Sequence, residues 1–398
     1  MSGIRLAVLD DGLFVRTYAR EIRPLAATFN RFVEAVARRG RFERVRYLVP
    51  LRTLRIWEVE PSLAPVDESI LEIIPTTFFS GISDYLLRAG YIAWRNWPVI
   101  DRAIAESDLL WLRLPASNAL LALTSARRHG VPHLGWVAGS VGEVATAQSR
   151  LPPARMAARA VGGAYDAVTE LAGRGGPLIR LNSELFASVV TNSEVRQTRV
   201  MGATVRAERQ HASGPARIVW AGRMAGGKGL AELIEAMSSL LAGGADATLV
   251  LIGDGPARPS VERLLARLPM ERVEDYGYVG DRATYMDLLR SGDLFVHPSR
   301  AEGVPKVLVE AMAAGLPVVA AAAGGVPALL ADGERGRLVP AGDPGALAAA
   351  IGDLLGDEGQ RARLRSRGLA WAAEHTAEEQ ADRLIAWMRQ QFPRLAWT

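Results

Sequence analysis

Two short segments concentrate residues whose types and spacing suit phosphate and sugar chemistry. The first is Ala221-Gly222-Arg223-Met224-Ala225-Gly226-Gly227-Lys228-Gly229. It lies between an apolar strand-like run and a helical pattern. A glycine-rich turn at that place brings backbone N–H groups close to phosphate oxygens, and the helix N-terminus adds partial positive charge. Arg223 can bind phosphate through two parallel bonds, and Lys228 as a point charge. The spacing is not that of a GxxxxGK[ST] ATPase loop, because Gly229 follows the lysine. Nor is it a GxGxxG dinucleotide loop, and no acidic residue ends the next strand. Alone, the same residues also suit a glycine-rich surface turn.

The second segment runs His297-Pro298-Ser299-Arg300-Ala301-Glu302-Gly303-Val304-Pro305-Lys306-Val307-Leu308-Val309-Glu310-Ala311-Met312. Pro305 suits the first turn of a helix. Glu302 and Gly303 then precede that helix, and Glu310 lies about one turn inside it at ~1.5 Å rise per residue. Free N–H groups from Gly303 through Val304 to Lys306 form an anion site between two carboxylates. A nucleoside diphosphate sugar fits this layout, with the diphosphate on the helix end. Glu310 would accept from ribose hydroxyls and Glu302 from sugar hydroxyls. The local alternative is a capping Glu302 and an ordinary helical Glu310. Only two of the 47 basic residues are lysines, Lys228 and Lys306, and each falls in one of these segments.

Such loops need strands to position them. Ile4–Leu9 is an apolar run ended by Asp10-Asp11-Gly12, a helical pattern follows over 29–40, and Val45–Val49 is a second strand. Strand, helix, strand is the order of a parallel sheet. It recurs at Leu109–Leu114, Ala119–His129 and His133–Val137, and Ser188–Thr191 reads as a further strand. Residues 205–216 are polar, end in Gly214-Pro215 and read as a linker. The order then restarts with strands at 217–221, 247–252, 273–279, 294–296 and 317–321, and helices at 229–241, 261–268 and 304–314. The expected fold class is α/β, with two Rossmann-like doubly wound domains facing each other across a cleft. The expected division is 1–204 for the first, acceptor-side domain, 205–216 for the linker and 217–376 for the nucleotide-sugar domain. A final helix within 377–398 would return to the first domain.

Composition narrows the function classes. The chain has 398 residues, 49% hydrophobic and 23% charged, enough for two cores. Having no cysteine excludes disulfides, thiolate metal sites and cysteine nucleophiles, and fits a reducing, cytoplasmic setting. The five histidines include no HExxH pair, so no metal site is expected. No segment reads as a membrane span or a secretory signal. Residues 1–200 hold 25 arginines against 19 carboxylates. That excess suits an anionic partner such as a lipid headgroup, or a solvated surface. The stretch 78–100 mixes Phe78, Phe79, Tyr85, Tyr91, Trp94 and Trp97 with Arg88 and Arg95. It suits either a membrane interface or a helix packed on the first domain.

PSxxEGxPxxxxEAMAxGxPVV at Pro298–Val319 resembles the family-4 retaining glycosyltransferases of GT-B fold. So does the order AGRxxxxKG, LxLIGDGP (Leu249–Pro256), YGYVG (Tyr276–Gly280), the Glu302–Glu310 segment and GGVPALLADGERGRLVP (Gly324–Pro340). The resemblance covers about residues 188–395. It implies that Arg223 and Lys228 hold the distal phosphate, that Glu302 faces the donor sugar and that Glu310 faces the ribose. The backbone around Val279 would meet the base, and Gly12 would lie at the phosphate. Ala138 stands where the family commonly has a histidine. His133, earlier in that strand, is either an acceptor-side residue or a core histidine. The asparagine-glycine-valine turn common before the second domain is absent near 203–212.

The resemblance therefore implies transfer of a sugar from a UDP- or GDP-sugar to an acceptor hydroxyl with retention. The acceptor would be a sugar, a lipid-linked group or a small molecule in polysaccharide, glycolipid or glycoconjugate assembly. No aspartate-x-aspartate motif occurs in the second domain, so Arg223, Lys228 and the helix end would carry leaving-group charge with no required cofactor. No nucleic-acid partner is expected, and a peripheral membrane contact through the first domain stays open. A sugar-nucleotide epimerase, a phosphorylase and a non-catalytic nucleotide-sugar-binding partner remain as alternatives.

Overall fold

A computed structural model of the chain describes residues 3–25, 29–55, 58, 64–80, 82–137, 163, 166–180, 185, 186, 188, 190–199 and 214–397. The chain divides into two compact units, Met1–Leu181 with Gln380–Thr398, and Asn182–Glu379. The boundary thus falls earlier than the sequence places it, and residues 182–199 group with the second unit. Most of the expected linker lies outside the described residues. So does Ala138.

The first unit is built on strands β1 (Arg5–Leu9), β2 (Phe14–Arg16), β3 (Ile22–Pro24), β4 (Arg44–Thr53), β5 (Glu72–Thr77), β6 (Leu109–Leu114), β7 (His133–Val137) and β8 (Leu178–Arg180). They run in the order β5–β4–β1–β6–β7–β8, all parallel. β2 extends the sheet along the far end of β4, and β3 pairs with it antiparallel. Side chains alternate across each strand, so one strand feeds two cores. Leu110, Leu112 and Leu114 of β6 meet Ile100, Ala103 and Ile104 of the helix Ile82–Ala105. Trp111 points to the other face, where it meets Phe29 at 5.2 Å and Trp136 at 5.7 Å between ring centroids. Phe32 closes this aromatic cluster at 5.3 Å from Trp136.

Residues 380–398 complete the same unit. Asp382 accepts from Arg39 Nε at 2.9 Å, and Trp397 lies 6.2 Å from Phe42. Ala381, Leu384, Ile385 and Met388 are buried at helical spacing on the helix Ala377–Gln391. Among the described residues no helix is long and apolar enough to cross a membrane.

The second unit has six parallel strands, β9 (Ala216–Ala221), β10 (Ala247–Ile252), β11 (Val273–Asp275), β12 (Leu294–His297), β13 (Val318–Ala321) and β14 (Arg337–Val339). Their order is β11–β10–β9–β12–β13–β14. The chain moves outward from β9 to β11, then returns to the other side of β9 with β12. The loops after β9 and β12 therefore leave neighbouring strand ends, where doubly wound sheets take their ligands. β11 is shorter than expected because the Asp275 carboxylate accepts from the Gly277 N–H at 3.0 Å, and Gly277 has φ +60°. The run Ser188–Thr191 is not a strand among its described members. The Val190 carbonyl accepts from the Ala377 N–H at 2.7 Å instead.

Leu384 is fully buried, so Leu384→Ala leaves a cavity and should cost about 2–5 kcal/mol. Urea unfolding of the full chain checks this. A loss under about 0.5 kcal/mol would mean that the terminal helix contributes no packing.

Candidate functional site

The two loops at the second unit's switch point touch backbone to backbone. Gly229, at the N-cap of the helix Leu230–Ala242, has φ +70°. A Cβ there would lie 2.0 Å from the Pro298 carbonyl oxygen, so no other residue fits. The Arg300 N–H donates to the Gly227 carbonyl at 2.8 Å, and the buried Ser299 hydroxyl lies 3.3 Å from the same oxygen. Here lies the structural reason for glycine, rather than serine or threonine, after Lys228.

This contact brings Lys228 to Glu302. The Lys228 ammonium donates to Glu302 Oε1 at 2.6 Å, and His297 Nε2 lies 3.1 Å from the same oxygen. Glu302 is largely buried. Burial alone would raise its pKa, but the hydrogen bonds from His297 and Lys228 outweigh burial and hold it at about 2. Glu302 Oε2 accepts no hydrogen bond among the described residues. Gly324 supports the loop from the other side. It has φ +55°, and a Cβ there would lie 1.8 Å from the Glu302 carbonyl oxygen. Lys228 and Glu302, expected to meet phosphate and sugar separately, are thus bound to each other. His297 escaped sequence reading because nothing at its position says which way the ring points.

The helix after this loop begins at Lys306, with Pro305 as N-cap rather than inside the first turn. The N–H groups of Gly303 and Val304 meet no acceptor among the described residues. Glu310 is buried and forms its own network. Arg282 Nη1 donates to its Oε1 at 2.5 Å, and the Tyr285 hydroxyl donates to Oε2 at 2.8 Å. Arg282 Nε also donates to Glu194 at 2.7 Å. Burial and the Glu310 charge push the Tyr285 phenol well above its ordinary pKa. Glu194 stays below its ordinary value because the Arg282 contacts outweigh its burial. Both Glu310 oxygens therefore have partners that a ribose would have to share.

The remaining donor-side residues stand apart from these pairs. Arg223 is exposed and has no side-chain partner among the described residues. Val279 is half-buried in the irregular segment after β11. That segment is tied down by the Gly253 N–H, which donates to Gly277 O at 2.6 Å. Arg258 adds bonds to Asp254 at 2.8 Å, Asp275 at 2.9 Å and Gly253 O at 2.9 Å.

The first unit carries a second polar cluster at the corresponding strand ends. Gly12 follows two aspartates. Asp10 accepts from Tyr47 at 2.6 Å and Arg113 at 2.7 Å. Asp11 accepts from the Ser117 N–H at 2.5 Å and its hydroxyl at 2.8 Å, and Tyr85 donates to Ser117 O at 2.7 Å. Burial pushes the Asp11 carboxyl up to about 6 despite the Ser117 bonds, and the charge of Asp10 adds to the rise. His133 lies elsewhere. It begins β7 rather than ending it, is buried, and holds Ala172 O at 3.0 Å through Nε2, so its acceptor-side assignment gives way to a packing role.

Glu302, lowered from 4.5 to about 2, contributes stability that is full above pH 4.5 and lost as pH falls through 2. Glu302→Gln should therefore cost about 1–3 kcal/mol at pH 7, with the difference shrinking below pH 4. Denaturation across pH measures it, and a pH-independent difference would contradict the pairing. Glu310→Ala strips Arg282 of one of two carboxylates and should cost about 1–3 kcal/mol. An unchanged melting temperature would contradict that network.

Comparison with known proteins follows the same division. Residues 215–357 match the family model described as glycosyl transferases group 1. Over 175 residues the chain is 34% identical to the alpha-D-kanosaminyltransferase of Streptomyces kanamyceticus, covering 44% of this chain and 45% of that protein. Over 299 residues it is 29% identical to the GDP-mannose-dependent alpha-(1-6)-phosphatidylinositol monomannoside mannosyltransferase of Mycolicibacterium smegmatis, covering 69% and 75%. The match thus spans less than half of the first relative's length. The crystal structure of Anabaena HepE in complex with UDP superposes with a TM-score of 0.61 at 17% identity, over 98% of this chain and 100% of that one. The chain has the two-Rossmann-domain fold of the GT-B glycosyltransferases, and its residues 215–357 are similar to the glycosyl transferases group 1 family.

Proposed function

We propose that the chain transfers a sugar from a UDP- or GDP-sugar to an acceptor hydroxyl, with retention at the anomeric carbon and no required metal. The observation that carries this reading is the Lys228–Glu302 pair at the switch point of a group 1 domain. A diphosphate arriving there takes the Lys228 ammonium from Glu302. Arg223 and the N–H groups of Gly303 and Val304 supply further donors as charge develops on the leaving phosphate. Glu302 remains oriented by His297, with Oε2 turned to the sugar hydroxyls. The anomeric carbon–oxygen bond to the diphosphate breaks, and the bond to the acceptor oxygen forms. The acceptor proton leaves with the departing phosphate or to solvent.

The names of the relatives support a nucleoside diphosphate donor, GDP-mannose in one and UDP in another. Glycolipid, polysaccharide or small-molecule acceptors are all compatible with them. We place the activity in the cytoplasm, where such donors are made.

The test is isothermal titration of UDP, GDP, ADP and dTDP and their sugar conjugates, with and without chelator, followed by turnover with acceptor panels. Lys228→Ala should weaken diphosphate binding by about 1.5–3 kcal/mol, or roughly 10- to 100-fold. Unchanged affinity would remove the phosphate assignment. Product formation without any acceptor would replace transfer by epimerisation. Donor binding with no turnover on any acceptor would leave a binding partner.

A further inference from the structure

Glu310 owes its setting to Arg282 and Glu194, which have no part in the proposed reaction. The arrangement begins at a helix end. Residues 192–199 are helical, and Thr191 and Glu194 form a capping box at their start. The Glu194 N–H donates to the Thr191 hydroxyl at 3.2 Å, and the Thr191 N–H donates to Glu194 Oε2 at 2.7 Å. Asn192 ties the same turn to the start of the helix Ala377–Gln391. Its N–H donates to Glu378 at 3.1 Å, and its Oδ1 accepts from the Thr376 hydroxyl at 2.9 Å.

Glu194 therefore presents its carboxylate from a fixed place. The Nε–Nη2 edge of Arg282 lies on it, with Nε 2.7 Å from Oε1 and Nη2 3.5 Å from Oε2. Arg282 opens the helix Arg282–Arg290 behind the N-cap Asp281, so its backbone is held as well. With that edge committed, Nη1 is the group that reaches Glu310 Oε1, while Tyr285 donates to Oε2. A carboxylate has about four lone-pair sites. One on each Glu310 oxygen is thus left over among the described residues. A vicinal diol can donate one hydroxyl to each.

Charge supports the same reading. One guanidinium here faces two carboxylates, and the Glu194, Arg282 and Glu310 side chains are only 14%, 21% and 11% exposed. Arg290 is near, but its Nη1 goes to Asp287 at 2.7 Å. An excess of buried negative charge with unfilled lone pairs attracts hydroxyl donors and repels phosphate. Without Glu194 the guanidinium would turn to face Glu310 with two parallel N–H groups, the favoured geometry for such a pair. That would fill a lone pair the diol needs.

We propose that Glu194 is a positioning residue for the donor's ribose. By holding Arg282 to a single contact with Glu310, it keeps one acceptor site on each Glu310 oxygen for the two ribose hydroxyls. Glu194 thereby sets the preference for ribonucleotides over deoxyribonucleotides. The inference rests on the donor reading proposed above.

Isothermal titration of the full chain with UDP and GDP, each against its 2′-deoxy counterpart, tests it. The wild-type chain should bind the ribo form about tenfold more tightly, or better. Glu194→Gln keeps the side-chain length and an oxygen for Thr191 but loses the charge that holds Arg282. It should cut the preference to about threefold or less, mainly through weaker binding of the ribo form. Glu194→Asp keeps the charge on a shorter stem and should give an intermediate preference, which serves as the readout if the glutamine variant does not fold. The ratio of two ligands on one variant does not move with a general loss of stability. A wild-type preference in these variants, or an equal loss for ribo and deoxy forms, would overturn the inference and leave the donor reading standing. So would equal binding of both forms by the wild-type chain. Failure of the wild-type chain to bind either UDP or GDP would overturn the donor reading, and this inference with it.

Discussion

The close approach of Gly229 to the Pro298 carbonyl is the constraint on which the candidate donor site depends. Parallel strands deliver their loops to one edge, and where strand order reverses two strands that are not consecutive in sequence lie side by side and bring their loops together. β9 and β12 meet this condition. Their loops still need van der Waals contact before a lysine on one can reach a carboxylate on the other. A single Cβ at 229 would forbid that contact. Gly324 repeats the device one strand further on, under the Glu302 carbonyl. Gly229, which looks like a phosphate-binding residue in the sequence, thus first serves to pack backbone on backbone, whereas a Cβ at Gly226 or Gly227 would meet nothing.

Every buried carboxylate in the two clusters already has partners. Glu302 holds Lys228 and His297, Glu310 holds Arg282 and Tyr285, and Asp10 holds Tyr47 and Arg113. An unpaired buried charge would cost several kcal/mol in the ligand-free protein. Ligand binding at such a site is an exchange of partners. In the proposed reaction the net gain is the difference between Lys228 on a phosphate and Lys228 on Glu302.

The sequence shows what is local and hides what is not. The two parallel sheets are legible because buried strands are continuous apolar runs, as in Leu109–Leu114 and Ala247–Ile252. The loop segments are legible because glycine, proline and charged residues cluster there. The β2–β3 hairpin and β5 are not, since three-residue strands and Pro75 within Glu72–Thr77 leave no periodic signal. Glu310 shows its place on the helix, but its binding by Arg282 and Tyr285, 25 to 28 residues away, is a tertiary fact. His133 shows the same limit in reverse. Its residue type suggests chemistry, and only its place at the start of β7 and its bond to Ala172 O show packing.

Glu302 and Asp11 are carboxylates near strand ends, yet they are shifted in opposite directions. Glu302 faces an ammonium and an imidazole, and sits at about 2. Among the described residues Asp11 receives hydrogen bonds only from the neutral Ser117, and it stands next to Asp10, whose cationic partner Arg113 is already engaged. It sits at about 6. Between pH 5 and 7 the carboxylate of the second unit keeps its charge, while that of the first unit changes. The Glu302 carboxylate therefore stays ionised across physiological pH, and the charge of Asp11 is adjustable by any ligand that brings a donor or a cation beside it. A hydroxyl group placed there would favour the ionised form and lower the Asp11 pKa. The two clusters respond differently to occupancy because Glu302 is hydrogen-bonded to a cationic side chain, whereas among the described residues Asp11 is hydrogen-bonded only to Ser117.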